Sequence, residues 1–225
     1  MYNYKLSNNH YIINIDGNNY LLDTGSPQSF SLKPSLTSVV INGMRFSLGP
    51  KPIGLSLSLT KSLVGMEVDG FIGMDIIRQT SLTIYKDGII EFSAISEKGT
   101  KLDLLKGTIF GGLRVKMSCN GVVGAYFIDT GAKYGYANEY IFKNNKTIKP
   151  FDHVYDYNPR IGSFDSDIYR FKVDFGPIQK EIELGDSEPV RNDLEMMKSS
   201  IVGNITPLFD EVCVIDTQNY VLTIR

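Results

Sequence analysis

The chain is poor in the residues from which several kinds of site are built. Its two histidines, His10 and His153, are far apart and have no neighbouring cysteine, so neither has metal-ligand spacing. Both read as surface or packing residues, and no metal is expected. Two cysteines, Cys119 and Cys213, in 225 residues are too few for a disulfide framework and read as reduced thiols. Charge of one sign is lacking too: 23 basic and 25 acidic residues give a formal net charge of −2 without long runs. That leaves no electrostatic footprint for a phosphate backbone, so nucleic acid is not an expected partner. Gly111-Gly112 leads into more strand pattern and does not open a helix, which removes the usual phosphate loop. The longest apolar stretch, Gly121 to Ile128, is too short to cross a bilayer, and the polar start Met1 to His10 has no signal-peptide core. The expectation is a cytoplasmic protein with no membrane partner and no cofactor.

What is present is an ordinary globular composition, 42% hydrophobic and 21% charged, arranged in short apolar and β-branched runs. Asp16-Gly17, Asn42-Gly43, Asp87-Gly88 and Asn120-Gly121 punctuate those runs with dipeptides that suit tight hairpin turns. The class is therefore all-β. Helix signals are short: Asp75 to Gln79 with Asp75 as N-cap, Asn138 to Lys143, and Asp193 to Ser199.

The chain also repeats itself. Tyr11 to Ile15, a turn, and Tyr20-Leu21-Leu22-Asp23-Thr24-Gly25-Ser26 match Leu113 to Ser118, a turn, and Ala125 to Ala132, so that a hairpin ends twice in Asp-Thr-Gly. Phe71-Ile72-Gly73 recurs as Ile201-Val202-Gly203. Each half then closes on a hairpin, Ser81 to Phe92 and Cys213 to Ile224. The reading is two homologous β-barrel-like lobes, 1–95 and 108–225, with a join at 96–107, and with extra chain in the second lobe mostly between Lys143 and Asp193. An Asp-Thr-Gly triplet arises by chance at about one in several thousand positions. Two of them in the same context are a signal because order and surroundings agree as well as letters.

At these residues the chain resembles the pepsin and retropepsin superfamily of aspartic peptidases: Leu22-Asp23-Thr24-Gly25-Ser26 and Asp69-Gly70-Phe71-Ile72-Gly73 in one half, Ile128-Asp129-Thr130-Gly131-Ala132 and Ser200-Ile201-Val202-Gly203-Asn204 in the other. The resemblance spans nearly the whole chain and implies the acid-protease fold, with a cleft between the lobes and Asp23 and Asp129 as the catalytic pair. It further implies that Thr24 and Thr130 hydrogen-bond across the lobe interface, and that the N–H groups of Gly25 and Gly131 support the inner carboxylate oxygens. Ser26 would offer its hydroxyl to Asp23, whereas Ala132 offers nothing to Asp129, which predicts Asp23 as the more readily ionised member. The implied activity is endopeptidase cleavage of an extended polypeptide by a monomer. A catalytically silent peptide-binding or scaffold protein of the same fold is the alternative. For the covering flap there are two candidates, a hairpin tip at Asn42-Gly43 in the first lobe and the segment carrying Tyr155, Tyr157, Ile161 and Gly162 in the second.

Overall fold

In the computed structural model, residues 1–106, 111–144 and 147–225 are described. The end of the expected join at 107 and the expected start of the second lobe at 108–110 lie outside them.

The hairpin dipeptides act through backbone handedness. Asp16 and Gly17, Asn42 and Gly43, and Asn120 and Gly121 all have positive φ, between 50° and 80°. Two successive left-handed residues make the tight turn whose twist matches that of paired strands. Strands His10–Ile15 and Asn18–Leu22 are thereby folded onto each other in the first half, as are Leu113–Cys119 and Val122–Ile128 in the second.

In each half, the second strand of that hairpin continues into Asp-Thr-Gly and is joined on its free edge by a parallel strand from farther along the chain. Gly70–Ile72 runs beside Asn18–Leu22, and Ile201–Gly203 runs beside Val122–Ile128. A short antiparallel strand flanks each of these, Phe30–Ser31 and Gly135–Ala137. The strand that leaves the triad therefore returns on the far side of a strand arriving later, and the triad turn is held between the two.

These strands are buried on both faces, which explains why Tyr11-Ile12-Ile13 and Tyr126-Phe127-Ile128 are continuous apolar runs instead of alternating ones. Ile13, Leu22 and Ile72 face a large core shared with the second half, while Ile12, Leu21 and Phe71 face a smaller cluster closed by Val64. In the second half, Tyr126 and Ile128 enter the shared core, and Phe127 and Val202 enter a cluster closed by Val190 and Leu194. The covering helices are Leu57–Val64 and Glu188–Met196. The first is capped by the Ser56 hydroxyl, which accepts from Leu59 N–H, and by left-handed Gly65.

The closing hairpins bring the halves together. Leu82–Tyr85 pairs with Val212–Asp216, and Ile89–Glu91 and Val221–Ile224 flank that pair. Tyr2–Ser7 then pairs with Ile89–Glu91 on one side, and Thr100–Asp103 pairs with Val221–Ile224 on the other. Thr100–Asp103, inside the stretch read as a join, thus occupies the place in the second half that the first strand of the chain holds in the first. The six strands are consecutive in one eleven-stranded sheet, and each half contributes three of them.

Several local expectations are corrected. Asp75 is not an N-cap: helix Met74–Thr80 starts after Gly73, and the Asp75 carboxylate accepts from Ser29 N–H and hydroxyl at 2.9 and 2.6 Å. The last of the three expected helices begins at Glu188, not Asp193, with Pro189 in its first turn, so Asp193 sits inside it. Register also moves the repeat by one: Leu22 lies opposite Ile72, but Ile128 lies opposite Gly203, so Gly73 corresponds to Asn204 and not to Gly203. A side chain at 203 is excluded because its Cβ would stand 2.5 Å from the Tyr126 hydroxyl.

Cys119 and Cys213 are buried thiols, and burial pushes Cys119 up to about 11. Among the described residues no helix is long and apolar enough to cross a membrane.

Candidate active site

The two triads meet where the lobes meet. Asp23 N–H donates to Ile72 O at 2.9 Å and Asp129 N–H to Gly203 O at 2.8 Å, which fixes both aspartates at the ends of their strands. The threonines that follow are fully buried and reciprocal. The Thr24 hydroxyl donates to Ile128 O at 2.8 Å and accepts from Thr130 N–H at 3.0 Å; the Thr130 hydroxyl donates to Leu22 O at 2.7 Å and accepts from Thr24 N–H at 3.0 Å. Each loop thus completes the hydrogen bonding of the other across the lobe boundary.

Glycine follows because the carboxyls leave it no room. A Cβ on Gly25 would lie 2.4 Å from the Asp129 carboxyl, and one on Gly131 would lie 2.6 Å from that of Asp23. The same glycines donate their N–H groups, Gly25 to Asp23 Oδ1 at 3.0 Å and Gly131 to Asp129 Oδ1 at 2.8 Å. Ser26 does not act as expected. Its N–H donates to Asp23 Oδ1 at 2.9 Å, but its hydroxyl turns away and donates to Gln28 O at 2.7 Å. Two backbone donors already serve that carboxylate oxygen, and the turn offers the hydroxyl an unpaired carbonyl instead.

Asp23 and Asp129 lie within hydrogen-bonding reach of each other, partly open to the cleft. Desolvation raises both above the ordinary carboxyl value. For Asp23 the charge of Asp129 adds to that rise, and the bond between the carboxyls raises Asp23 while lowering Asp129. Two carboxyls so placed share one proton and titrate as a pair. The order expected from Ser26 and Ala132 loses its basis, since the hydroxyl on which it rested serves another acceptor.

The outer sides of the two loops are supported differently. In the first, Ser26 O accepts from Met74 N–H at the start of helix Met74–Thr80. The second half has only the short turn Thr206–Leu208 at that place, and side chains take over. Asn204 Nδ2 donates to Thr130 O at 3.3 Å and to Ala132 O at 3.0 Å; Asn9 Nδ2 donates to Lys133 O at 3.1 Å; His10 Nε2 is 3.1 Å from Gly131 O. Ala132 contributes its backbone, with its N–H donating to Asp129 O at 3.2 Å. His10 is therefore no surface residue: it is buried, in contact with the second triad, and burial lowers its pKa. Neither His10 nor Asn204 was marked in the sequence. The strand ladder, and not the repeat as read from the sequence, sets Asn204 in the place of Gly73.

Of the two flap candidates the structure separates one from the cleft. Asn42 Nδ2 donates to Phe92 O and Asn42 N–H to the Tyr2 hydroxyl, so the tip at Asn42-Gly43 is folded back on its own lobe, with Val39, Ile41 and Phe46 in the shared core. The other candidate is a hairpin of strands Asp152–Asn158 and Gly162–Phe175, turning at left-handed Gly162. Ile161 packs on the second lobe's cluster, and Tyr157 packs on the first lobe's, with its hydroxyl beside Gly54. The hairpin spans from one lobe to the other. The Tyr136 hydroxyl donates to Asp156 at 2.6 Å and ties the hairpin to the strand beside the second triad. Tyr155 on the same strand is exposed.

No protein-family model matches the chain, and no curated protein matches it in sequence. Among solved structures, the protease of simian foamy virus (mac) matches 42% of this chain and 90% of its own, at 16% identity and a TM-score of 0.32. The aspartic proteinase from Irpex lacteus matches 98% of this chain and 95% of its own, at 12% identity and a TM-score of 0.57. The all-β chain with its two lobes and central cleft thus has the fold of the pepsin-like aspartic proteinases.

Proposed function

We propose that the chain is an aspartic-type endopeptidase that hydrolyses peptide bonds through a water activated between Asp23 and Asp129. The observation that carries this reading is the reciprocal threonine grip, which presses two carboxyls together so that one proton serves both. Two like charges at hydrogen-bonding distance cannot both persist, and the pair supplies an acid and a base at once. The ionised member of the pair takes a proton from the water as its oxygen attacks the scissile carbonyl carbon, and the protonated member gives its proton to the carbonyl oxygen. The tetrahedral diol then collapses: the C–N bond breaks, a hydroxyl proton returns to an aspartate, and the amine leaves protonated.

The substrate is an extended polypeptide lying in the cleft beneath the Asp152–Phe175 hairpin. Tyr157, on the hairpin that spans the lobes and packed, like Leu59 and Met66, on the first lobe's apolar cluster, supports a preference for apolar side chains near the cut bond. Both triads belong to one chain, so a monomer is the proposed working form. The test is cleavage of a diverse peptide library from acidic to neutral pH, with and without a pepstatin-type inhibitor. Inhibitor-sensitive cutting within extended peptides is expected. Tight capture of peptides by the folded protein without any turnover would overturn the peptidase reading in favour of a silent binder.

A further inference from the structure

We propose that His10 is a positioning residue of the active site, a side chain of the first lobe that holds the second Asp-Thr-Gly loop in place through the carbonyl of Gly131. The proposal rests on reading Asp23 and Asp129 as the catalytic pair.

The carbonyls of the second loop each need a donor. A buried carbonyl without a partner costs about 1–3 kcal/mol, so each should have one. Thr130 O and Ala132 O are taken by Asn204, and Lys133 O by Asn9, which leaves Gly131 O, and it faces the His10 ring. Gly131 is the residue whose movement matters most at this site. Its N–H holds Asp129 Oδ1 at 2.8 Å, and its Cα backs the Asp23 carboxyl closely enough to exclude a methyl group. A small displacement of this one residue changes the environment of both aspartates together. The matching position in the other half does not supply such a grip. Ile12 pairs with Leu21 and Arg114 with Phe127, so His10 corresponds to Gly112, which has no side chain. The turn that presents His10 is itself anchored on the second lobe, since Asn204 Nδ2 donates to Asn9 O at 2.7 Å.

The grip also depends on pH. The other ring nitrogen of His10, Nδ1, lies 3.2 Å from Ser7 O, so both nitrogens face acceptors. A neutral imidazole has one N–H and serves one of them; the imidazolium serves both. Asp156 on the spanning hairpin favours the charged ring, and Lys133 and burial oppose it, with burial the larger effect. Full engagement of both carbonyls is therefore confined to pH below the ordinary histidine range.

The experiment compares His10→Leu, which has no donor, with His10→Gln, which keeps an amide donor but has no proton to lose. For a peptide cut by the unmodified protein, His10→Leu is expected to lower kcat about 10- to 100-fold, the scale on which small misplacements act, with KM changed less than about twofold. His10→Gln should keep kcat within about threefold and lose the inflection that titration of the ring gives the pH profile. The carboxyl resonances of Asp23 and Asp129, followed against pH, give a readout that needs no turnover. The separation of their two apparent pKa values should narrow in His10→Leu and persist in His10→Gln. An unchanged separation in folded His10→Leu overturns the proposal whether or not the protein cuts peptides. If His10→Leu does not fold, His10→Gln decides, and collapse of its kcat and of the separation overturns it. If the unmodified protein cuts nothing while the separation responds as described, the positioning role stands and the peptidase reading fails.

Discussion

Thr24 and Thr130 carry more of the site's geometry than any other pair, because each hydroxyl both donates and accepts across the lobe boundary. Thr24→Val removes two bonds and leaves Thr130 N–H and Ile128 O without those partners, which costs about 2–6 kcal/mol at about 1–3 for each group. Thr24→Ser keeps the hydroxyl and should retain most of that stability; denaturant titration of the two variants checks the difference. The aspartates make a second prediction. Asp23 is raised in the folded protein above its ordinary value of 3.8, so the native state binds more protons than the unfolded chain above that pH. Its contribution to stability is therefore complete below about pH 4 and is lost as pH rises through the folded value. Asp23→Asn should remove part of the decline in stability between acidic and neutral pH; a decline of the same slope in the variant would contradict the assignment. The triads and their threonines were legible because Asp-Thr-Gly is a local pattern that occurs twice. His10 was not, because its partner is 121 residues away and nothing near His10 announces it. The role given to Ser26 failed for a similar reason, since the choice between Asp23 and Gln28 as acceptor is made by the fold of the turn.

At the scale of elements, the hairpin Asp152–Asn158 and Gly162–Phe175 is the part that distinguishes the two lobes. Its long second strand alternates buried and exposed residues, as a strand with one covered face does. Near the tip, Tyr157 leaves its own lobe and packs on the cluster that contains Leu55 and Leu59. Tyr157→Ala should free the tip. The amides of 155–164 should exchange with solvent about tenfold faster or more, as loss of roughly 1.5 kcal/mol of apolar contact implies, while those of Leu113–Cys119 stay unchanged. Equal exchange in the tip would mean that the hairpin does not rest on the first lobe. The strands and tight turns were readable from Asn-Gly and Asp-Gly dipeptides and from β-branched runs. Helix Leu57–Val64 was missed although Ser56 and Gly65 bracket it in the positions caps occupy. Asp75 was read as a cap because local pattern cannot reveal a competing partner such as Ser29. The repeat slipped by one in its apolar-apolar-glycine element because glycine was matched to glycine, whereas the ladder sets Gly73 against Asn204.

At the scale of the molecule, the run of six adjacent strands to which both halves contribute three, together with the shared core, makes the lobes one cooperative unit. Val214 lies between Thr83 of the first half and Thr223 of the second, in the middle of that sheet. Val214→Pro removes a ladder hydrogen bond and is expected to cost about 3 kcal/mol or more, lowering the unfolding temperature of both lobes in a single transition. Calorimetry showing two separate transitions, with one unmoved, would mean that the lobes are independent. The duplication explains why so much of the architecture could be read from the chain, since each half gives the pattern for the other. Whether Asp23 and Asp129 form one shared site is decided by cleavage of a single peptide by Asp23→Asn and Asp129→Asn, with folding verified for each. In both alike kcat should fall about a thousandfold or more, because a pair that shares one proton cannot work with one carboxyl; either variant keeping most of its activity would mean that the two carboxyls do not act together.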